Sequence, residues 1–420
     1  MRRNLFWHAT RRALSVLALT LVLASVAAGG TYKVLHSFDC ATDGCGSYAG
    51  LTFDAQGNLY GTTLDSVFEL TPGSGGWTLS VVHLFTLLSD GQGVFAGVTF
   101  DPAGKLYGTA IGGGAYDSGT VFELIPGANS WTFSVIHDFD YTIHGGSDGA
   151  SPFAGLVLDE AGELYGTTQD GGIYDGGVVF KLRSRPGGAS SESILHDFGR
   201  STGYDGGSPE AGLIWDGAGN LYGTTRWGGG YYKNCTAGCG TVFKLVATSR
   251  GGWKEQLLHR FNWAPGGPDG YGPYAPLVFD AAGNLYGTTA AGGSSNRCQG
   301  GCGTVFKLTP SSSGRWKETI LRSFGPGQGG SAPFAGVVLD KAGNLYGTTQ
   351  RGGINNAGVV FKLTPGSNGK WTYTVVHRFT GPDGAQSNAN LIFDKAGKHL
   401  YGTTSLGGAH NGGVVFEITP

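Results

Sequence analysis

The chain has 420 residues and a formal net charge of −2, with only 14% charged residues and 79 glycines. Lys and Arg are scattered singly, so no basic stripe is available to neutralise a phosphate backbone, and nucleic acid is excluded as a partner. A glycine content this high would suit a disordered polymer, but the apolar positions recur regularly, which makes the glycines turn residues of a folded chain.

In chain order, the first segment differs in kind from the rest. Arg2, Arg3, Arg11 and Arg12 precede an apolar run from Ala13 to Val26, closed by small residues through Ala28 and Gly29. That is the pattern of a signal peptide over residues 1–28. An apolar stretch of about 14 residues is short of the roughly 20 needed to cross a bilayer, so no stable membrane span is expected after cleavage. The expected location is secreted or periplasmic, with cell-surface association open and the export route, Sec or Tat, undecided.

The next segment, Tyr32-Lys33-Val34-Leu35-His36-Ser37-Phe38, matches strand ends further along, such as Val376-His377-Arg378-Phe379 and Leu258-His259-Arg260-Phe261. From there the block Asp-x-x-Gly-x-Leu-Tyr-Gly-Thr-Thr, or a close copy, occurs seven times, centred on Tyr60, Tyr107, Tyr165, Tyr222, Tyr286, Tyr346 and Tyr401. The copies lie about 60 residues apart, so one supersecondary unit is repeated with slack taken up in loops. One copy reads as four strands. Ala335 to Asp340 is a short apolar run, Ala342-Gly343-Asn344 a tight turn, and Leu345 to Thr349 the second run. Val359 to Pro365 and Trp371 to Phe379 follow after glycine-rich loops. The runs are rich in Val, Phe, Tyr, Thr and Trp and are too short for helices. The turn aspartates Asp54, Asp101, Asp159, Asp216, Asp280, Asp340 and Asp394 occur in every copy, as a structural turn does and a catalytic residue does not.

The last copy, Ala389 to Pro420, stops before its fourth strand, and the missing strand is the one found at Tyr32 to Phe38. A ring whose ends zip together explains that permutation; a linear array has no use for it. The expected fold is therefore all-β: a seven-bladed β-propeller over residues 32–420, built of four-stranded antiparallel blades and closed by the N-terminal strand completing the last blade.

The copies, including Gly283 to Thr289, Gly303 to Pro310 and Leu35 to Phe38, resemble the bacterial GloVer-type tandem repeat. The resemblance spans essentially all of Tyr32 to Pro420 and implies an extracytoplasmic propeller whose biochemical role is unsettled. Members of that family carry varied surface anchors, whereas Glu417-Ile418-Thr419-Pro420 presents neither an apolar nor a basic tail.

Six cysteines fall into three close pairs, Cys40 with Cys45, Cys235 with Cys239 and Cys298 with Cys302. An even count and local pairing in an exported chain predict three loop-stapling disulfides. Metal binding by the cysteines would need further clustered ligands, and neither Cys-x-x-x-Cys has a histidine at finger spacing.

Two loop sets are expected on one face of the disc: the loops after Tyr-Gly-Thr-Thr and the loops between blades. Both vary in length and carry all the cysteines, which makes this face the place for binding. Trp227, Tyr231 and Tyr232 in the longest loop, with Tyr116 and Tyr174 in neighbouring ones, are the candidate platforms, serving either ligand stacking or loop packing. A second aromatic series, Tyr48, Phe95, Phe153, Tyr274 and Phe334, precedes the innermost strands, and its regularity favours blade-to-blade packing. Asp43, Asp90, Asp148, Asp205, Asp269 and Asp383 recur before Gly in the inter-blade loops and read as turn formers. His36, His83, His137, His196, His259 and His377, with Arg322 in the seventh copy, lie on the outermost strand and cannot converge on one ion, so they read as structural.

No catalytic residue is assigned: the nucleophile elbow, the zinc-protease helix and the phosphate loop are missing from the sequence. No cofactor and no metal site is expected. The leading reading is an exported, non-catalytic binding or surface-interaction module with a glycan or an extracellular protein as partner. The rival is a polysaccharide-degrading lyase or glycosidase with carboxylates at the central channel mouth.

Overall fold

The computed structural model describes residues 30–86, 89–141, 148–183, 190–199, 204–231 and 233–420. The signal segment expected over residues 1–28 lies outside them, as does Tyr232. Seven four-stranded antiparallel sheets make up the ring. In the first blade the strands run, from the axis outward, Thr52–Phe53, Leu59–Thr62, Ser66–Gly73 and Gly76–Leu84. The only helical element among the described residues is a single 3-10 turn, Ile354–Asn356.

The last blade consists of Ile392–Phe393, Leu400–Thr404, Val414–Ile418 and, outermost, Tyr32–Ser37. Tyr32 pairs with Ile418 and Ser37 with Val414, so the chain ends zip into one sheet as the permuted repeat demands. The innermost strands are shorter than their apolar runs. Only Val338–Leu339 of the Ala335-to-Asp340 run pairs in a ladder. The alanine that precedes the ladder bonds the neighbouring blade through its carbonyl instead. The first Thr of Tyr-Gly-Thr-Thr donates across the seam to that carbonyl, as in Thr62 to Ala96 at 2.9 Å and Thr288 to Ala335 at 2.8 Å. Thr403 donates to Ala49 at 3.0 Å and so joins the last blade to the first.

The hydrophobic core is a repeated seam. Phe68, Phe122, Phe180, Phe243, Phe306, Phe361 and Phe416 are fully buried, and each meets a phenylalanine of the preceding blade edge-on. Their ring centroids lie between 5.1 Å, for Phe38–Phe68, and 5.4 Å, for Phe379–Phe416, in the range of favourable aromatic pairs. The glycine of Tyr-Gly-Thr-Thr exists for this packing. A Cβ on Gly108 would lie 2.3 Å from Cζ of Phe122, and one on Gly166 would lie 2.6 Å from Cζ of Phe180.

The repeat aspartates accept hydrogen bonds from the backbone of their own turns. Asp280 accepts from the backbone N–H groups of Ala282 and Asn284 at 2.9 Å each, and the repeat tyrosine, Tyr286, donates its hydroxyl to the same carboxylate at 2.9 Å. These bonds hold the Asp280 carboxyl below its ordinary value against the effect of burial. The inter-blade aspartates also bond backbone: Asp269 accepts from Asn262 and Gly270, each at 2.7 Å.

Candidate functional site at the channel mouth

The two loop sets do share one face, because they pair with one another. Gly149–Ala150 forms a ribbon with Asp170–Gly171, and Gly270–Tyr271 one with Ala291–Gly292. Single bridges join Gln92 to Gly112, Gly207 to Trp227, Ser331 to Arg351 and Ala385 to Leu406. Two disulfides brace this face, Cys235–Cys239 and Cys298–Cys302. The third expected bridge is corrected: Cys40 and Cys45 are thiols. Their loop is already closed by backbone bonds from Thr42 and Asp43 to Asp39 and by the Asp43 carboxylate on the Asp39 N–H. A hydrogen bond to Cys40 is the main cause pushing the Cys45 thiol up to about 11.

The axis of the ring holds a cavity of about 650 Å³, lined by the innermost strands and the residues that enter them. The series preceding those strands surrounds its mouth. Tyr48 packs on Phe95 at 5.2 Å, Phe95 stacks on Phe153 at 4.9 Å, and Tyr274 packs on Phe334 at 4.9 Å. The rings thus pack blade to blade, as their regularity predicts, and at the same time line the channel. Among the seven equivalent positions two are not aromatic: Glu210 and Asn388.

Those two substitutions carry the polar chemistry of the mouth. Arg226 donates from an Nη to Glu210 at 2.8 Å, and the Glu210 side chain is only 3% exposed. The Arg226 guanidinium lies 4.5 Å over the Trp227 ring and 4.8 Å over that of Tyr274, held between two aromatic faces. Its buried Nε has no hydrogen-bond partner. Burial raises the Glu210 carboxyl, Arg226 opposes the rise, and the charge of Asp170 adds to it. Asp170 is itself raised, first by burial. On the other side Gln350 donates to Asn388 at 2.9 Å, and Asn388 donates to Ser405 and to the Gln386 carbonyl, each at 3.1 Å. A channel mouth of this kind presents aromatic faces, one carboxyl group held by Arg226 and a carboxamide pair to whatever enters.

Of the candidates expected from sequence, Trp227 belongs to this cluster through Arg226. Tyr231 is 70% exposed, and Tyr116 and Tyr174 are 41% and 43% exposed on the loops of the second and third blades. No ring contact joins these tyrosines to Trp227 among the described residues. Sequence reasoning passed over Glu210, Arg226, Gln350 and Asn388. The signal was present: an aromatic position occupied five times in seven, with the two exceptions polar.

The sequence profile of the Gloeobacter/Verrucomicrobia repeat matches residues 64–300 and 295–420, and the chain belongs to that family. No curated protein sequence matches it significantly. Among solved structures it is similar to virginiamycin B lyase from Staphylococcus aureus, with 12% identity, a TM-score of 0.52, and coverage of 93% of this chain and 100% of that one. It is also similar to the extracellular domain of the hybrid two component system BT4673 from B. thetaiotaomicron, with 13% identity, a TM-score of 0.54, and coverage of 93% of this chain and 42% of that one. An ancestral GH74 enzyme is matched at 10% identity and a TM-score of 0.51, over 88% of this chain and 51% of that one. At these identities the likeness is one of fold. Among the described residues no helix is long and apolar enough to cross a membrane.

Proposed function

We propose that this member of the Gloeobacter/Verrucomicrobia repeat family is an exported binding module, one propeller over residues 32–420, whose channel mouth takes a glycan. The observation that carries the reading is the aromatic arc Tyr48–Phe95–Phe153 and Tyr274–Phe334 around a cavity of about 650 Å³, interrupted by Glu210 with Arg226 and by Asn388 with Gln350. Aromatic faces suit the apolar faces of sugar rings, and a few fixed polar groups among apolar lining are what orients a ligand. The two disulfides and the likeness to an extracellular domain support an oxidising, extracytoplasmic location. An extracellular protein presenting such a sugar would serve equally as the partner.

A polysaccharide-degrading enzyme is the second reading, and one observation favours it. Glu210 has no symmetry mates, is raised by burial, and feels the charge of Asp170, a carboxyl that is also raised. Against it, Glu210 is ion-paired, and it is the one acidic residue among those lining the cavity. Acid and base catalysis of glycoside cleavage needs two carboxyl groups across the bond.

The experiment is incubation of the mature protein with a panel of bacterial and plant polysaccharides, measuring protein depletion and new reducing ends together. Depletion without new ends, abolished by Phe95→Ala or Trp227→Ala, is the expected result. Release of reducing ends that Glu210→Gln abolishes would replace the binding module by the enzyme.

A further inference from the structure

Each blade carries its histidine at the end of the outermost strand and another repeat position four residues earlier. A β-bulge separates the two in all seven blades, for example between the pairs Val179–His196 and Phe180–Ile194. Residues four apart in a regular strand face the same way, and one extra residue reverses that. The histidine therefore faces the next blade and the earlier residue faces the preceding one. At every seam a histidine, or Arg322, meets the next blade's residue and, in six of the seven copies, the aspartate of the inter-blade loop.

What the next blade offers divides the seams into two kinds. Where it is aromatic, the histidine stacks on it, His83 on Phe133 at 3.9 Å and His377 on Tyr32 at 3.8 Å, and bonds its aspartate at 3.3 Å and 3.0 Å. Leu79 occupies the position opposite His36, and His36 bonds Asp43 at 2.7 Å. Arg322 lies 4.2 Å over Tyr373 in the seam that lacks the aspartate. Three consecutive seams have glutamate there instead, and there the histidine–aspartate bond is open. His137 is 3.9 Å from Asp148 and 3.8 Å from Glu192; His196 is 3.8 Å from Asp205 and 3.9 Å from Glu255; His259 is 4.0 Å from Asp269 and 3.6 Å from Glu318.

These three clusters leave seven buried polar atoms without a hydrogen-bond partner: Nε2 of all three histidines, one oxygen of each glutamate, and Oδ1 of Asp205. Buried polar groups are ordinarily satisfied, and orphans concentrated at three equivalent places call for a missing partner. No lysine or arginine is ion-paired to any of the six carboxylates among the described residues; Arg260 acts on Glu255 only through its charge. In each cluster the candidate ligand atoms lie within 4.8 Å of one another. A tetrahedral zinc ion with bonds of about 2.1 Å sets its ligands roughly 3.4 Å apart, so the histidine–carboxylate distances of 3.6–4.0 Å would close by a few tenths of an ångström and the widest separations in a cluster by up to about 1.4 Å.

We propose that each of these seams, His137–Asp148–Glu192, His196–Asp205–Glu255 and His259–Asp269–Glu318, binds one divalent transition-metal ion through an imidazole nitrogen and two carboxylates. Two carboxylates and a neutral imidazole balance the charge of such an ion. The ion clamps one outermost strand to the next, so the sites brace the ring and lie apart from the channel mouth. The histidines do not converge on one metal, as their place on the rim dictates; each has its own. Calcium fits poorly, because it prefers six or more oxygen ligands.

The test uses untagged mature protein carrying Cys40→Ser and Cys45→Ser, which removes the competing thiols. After chelator treatment it is titrated with a zinc salt by calorimetry, and bound metal is counted after gel filtration. Three ions per chain are expected, falling to two in Glu318→Gln and to two in Glu192→Phe. The latter copies the residue at the His83 seam and keeps the ring packed. His83→Gln should leave the count at three, and circular dichroism checks that each variant is folded. A count that none of the glutamate substitutions changes, no binding at all, or a preference for calcium over zinc would overturn the proposal.

Discussion

The guanidinium of Arg226 is held between Trp227 and Tyr274 while it bonds Glu210 at 2.8 Å, so one ion pair ties the long loop of the fourth blade to the entry of two innermost strands. Removing the arginine leaves a carboxylate that is almost wholly buried without its counter-charge. Arg226→Met should cost about 3 kcal/mol in urea unfolding, the lower end for breaking a buried pair because the arginine is partly exposed. The double variant Arg226→Met with Glu210→Gln should recover most of that loss. Equal destabilisation of single and double variants would show that the charge was not the issue.

The stacked seams make stability depend on pH. Burial lowers the pKa of His83 and His377, and the carboxylates Asp90 and Asp383 only partly offset it. A histidine whose pKa is depressed by folding takes up protons more readily when unfolded. Stability is therefore full above the ordinary histidine value of about 6.5 and is lost as the pH falls through the folded values. Thermal unfolding of both proteins between pH 7.5 and 5 should show the wild type losing stability relative to His83→Phe with His377→Phe, because the lowered His137 and His196 and the raised Glu192, Glu255 and Glu318 act alike in the two. An unchanged slope would place the acid sensitivity elsewhere.

The Tyr-Gly-Thr-Thr glycine permits a close approach that no other residue can match. Gly108→Ala drives a methyl group into the Phe122 ring. Overpacking of this kind should cost about 1–3 kcal/mol, and Phe122→Leu in the same chain should relieve part of it. Additive losses in the double-mutant cycle would contradict the contact.

Ring closure rests on one short strand. Phe38→Ala empties the seam against Phe68 and should cost roughly 3–5 kcal/mol. Deleting residues 1–37 would expose Val414–Ile418 as an open edge strand, and the expected outcome is self-association seen by light scattering. A monodisperse truncated protein would mean that the ring holds without its zip.

Blade number, strand order and closure were legible in the chain because a repeat writes the same local physics seven times. Turn aspartates and the displaced strand at Tyr32 answer to neighbours at fixed offsets. The same regularity hid the candidate site. Glu210 and Asn388 are exceptions within a series, and their partners Arg226 and Gln350 come from another loop. Their meeting depends on how loops fold over the channel. The cysteines make the same point on a smaller scale: three pairs looked alike in sequence, and the structure joins two of them while Cys40 and Cys45 are thiols. The histidine seams needed the ring itself, since each cluster joins two blades and a bulge decides which way each side chain faces. Periodicity determined the architecture by itself; the departures from periodicity acquire a role only when closure of the ring brings distant strands face to face.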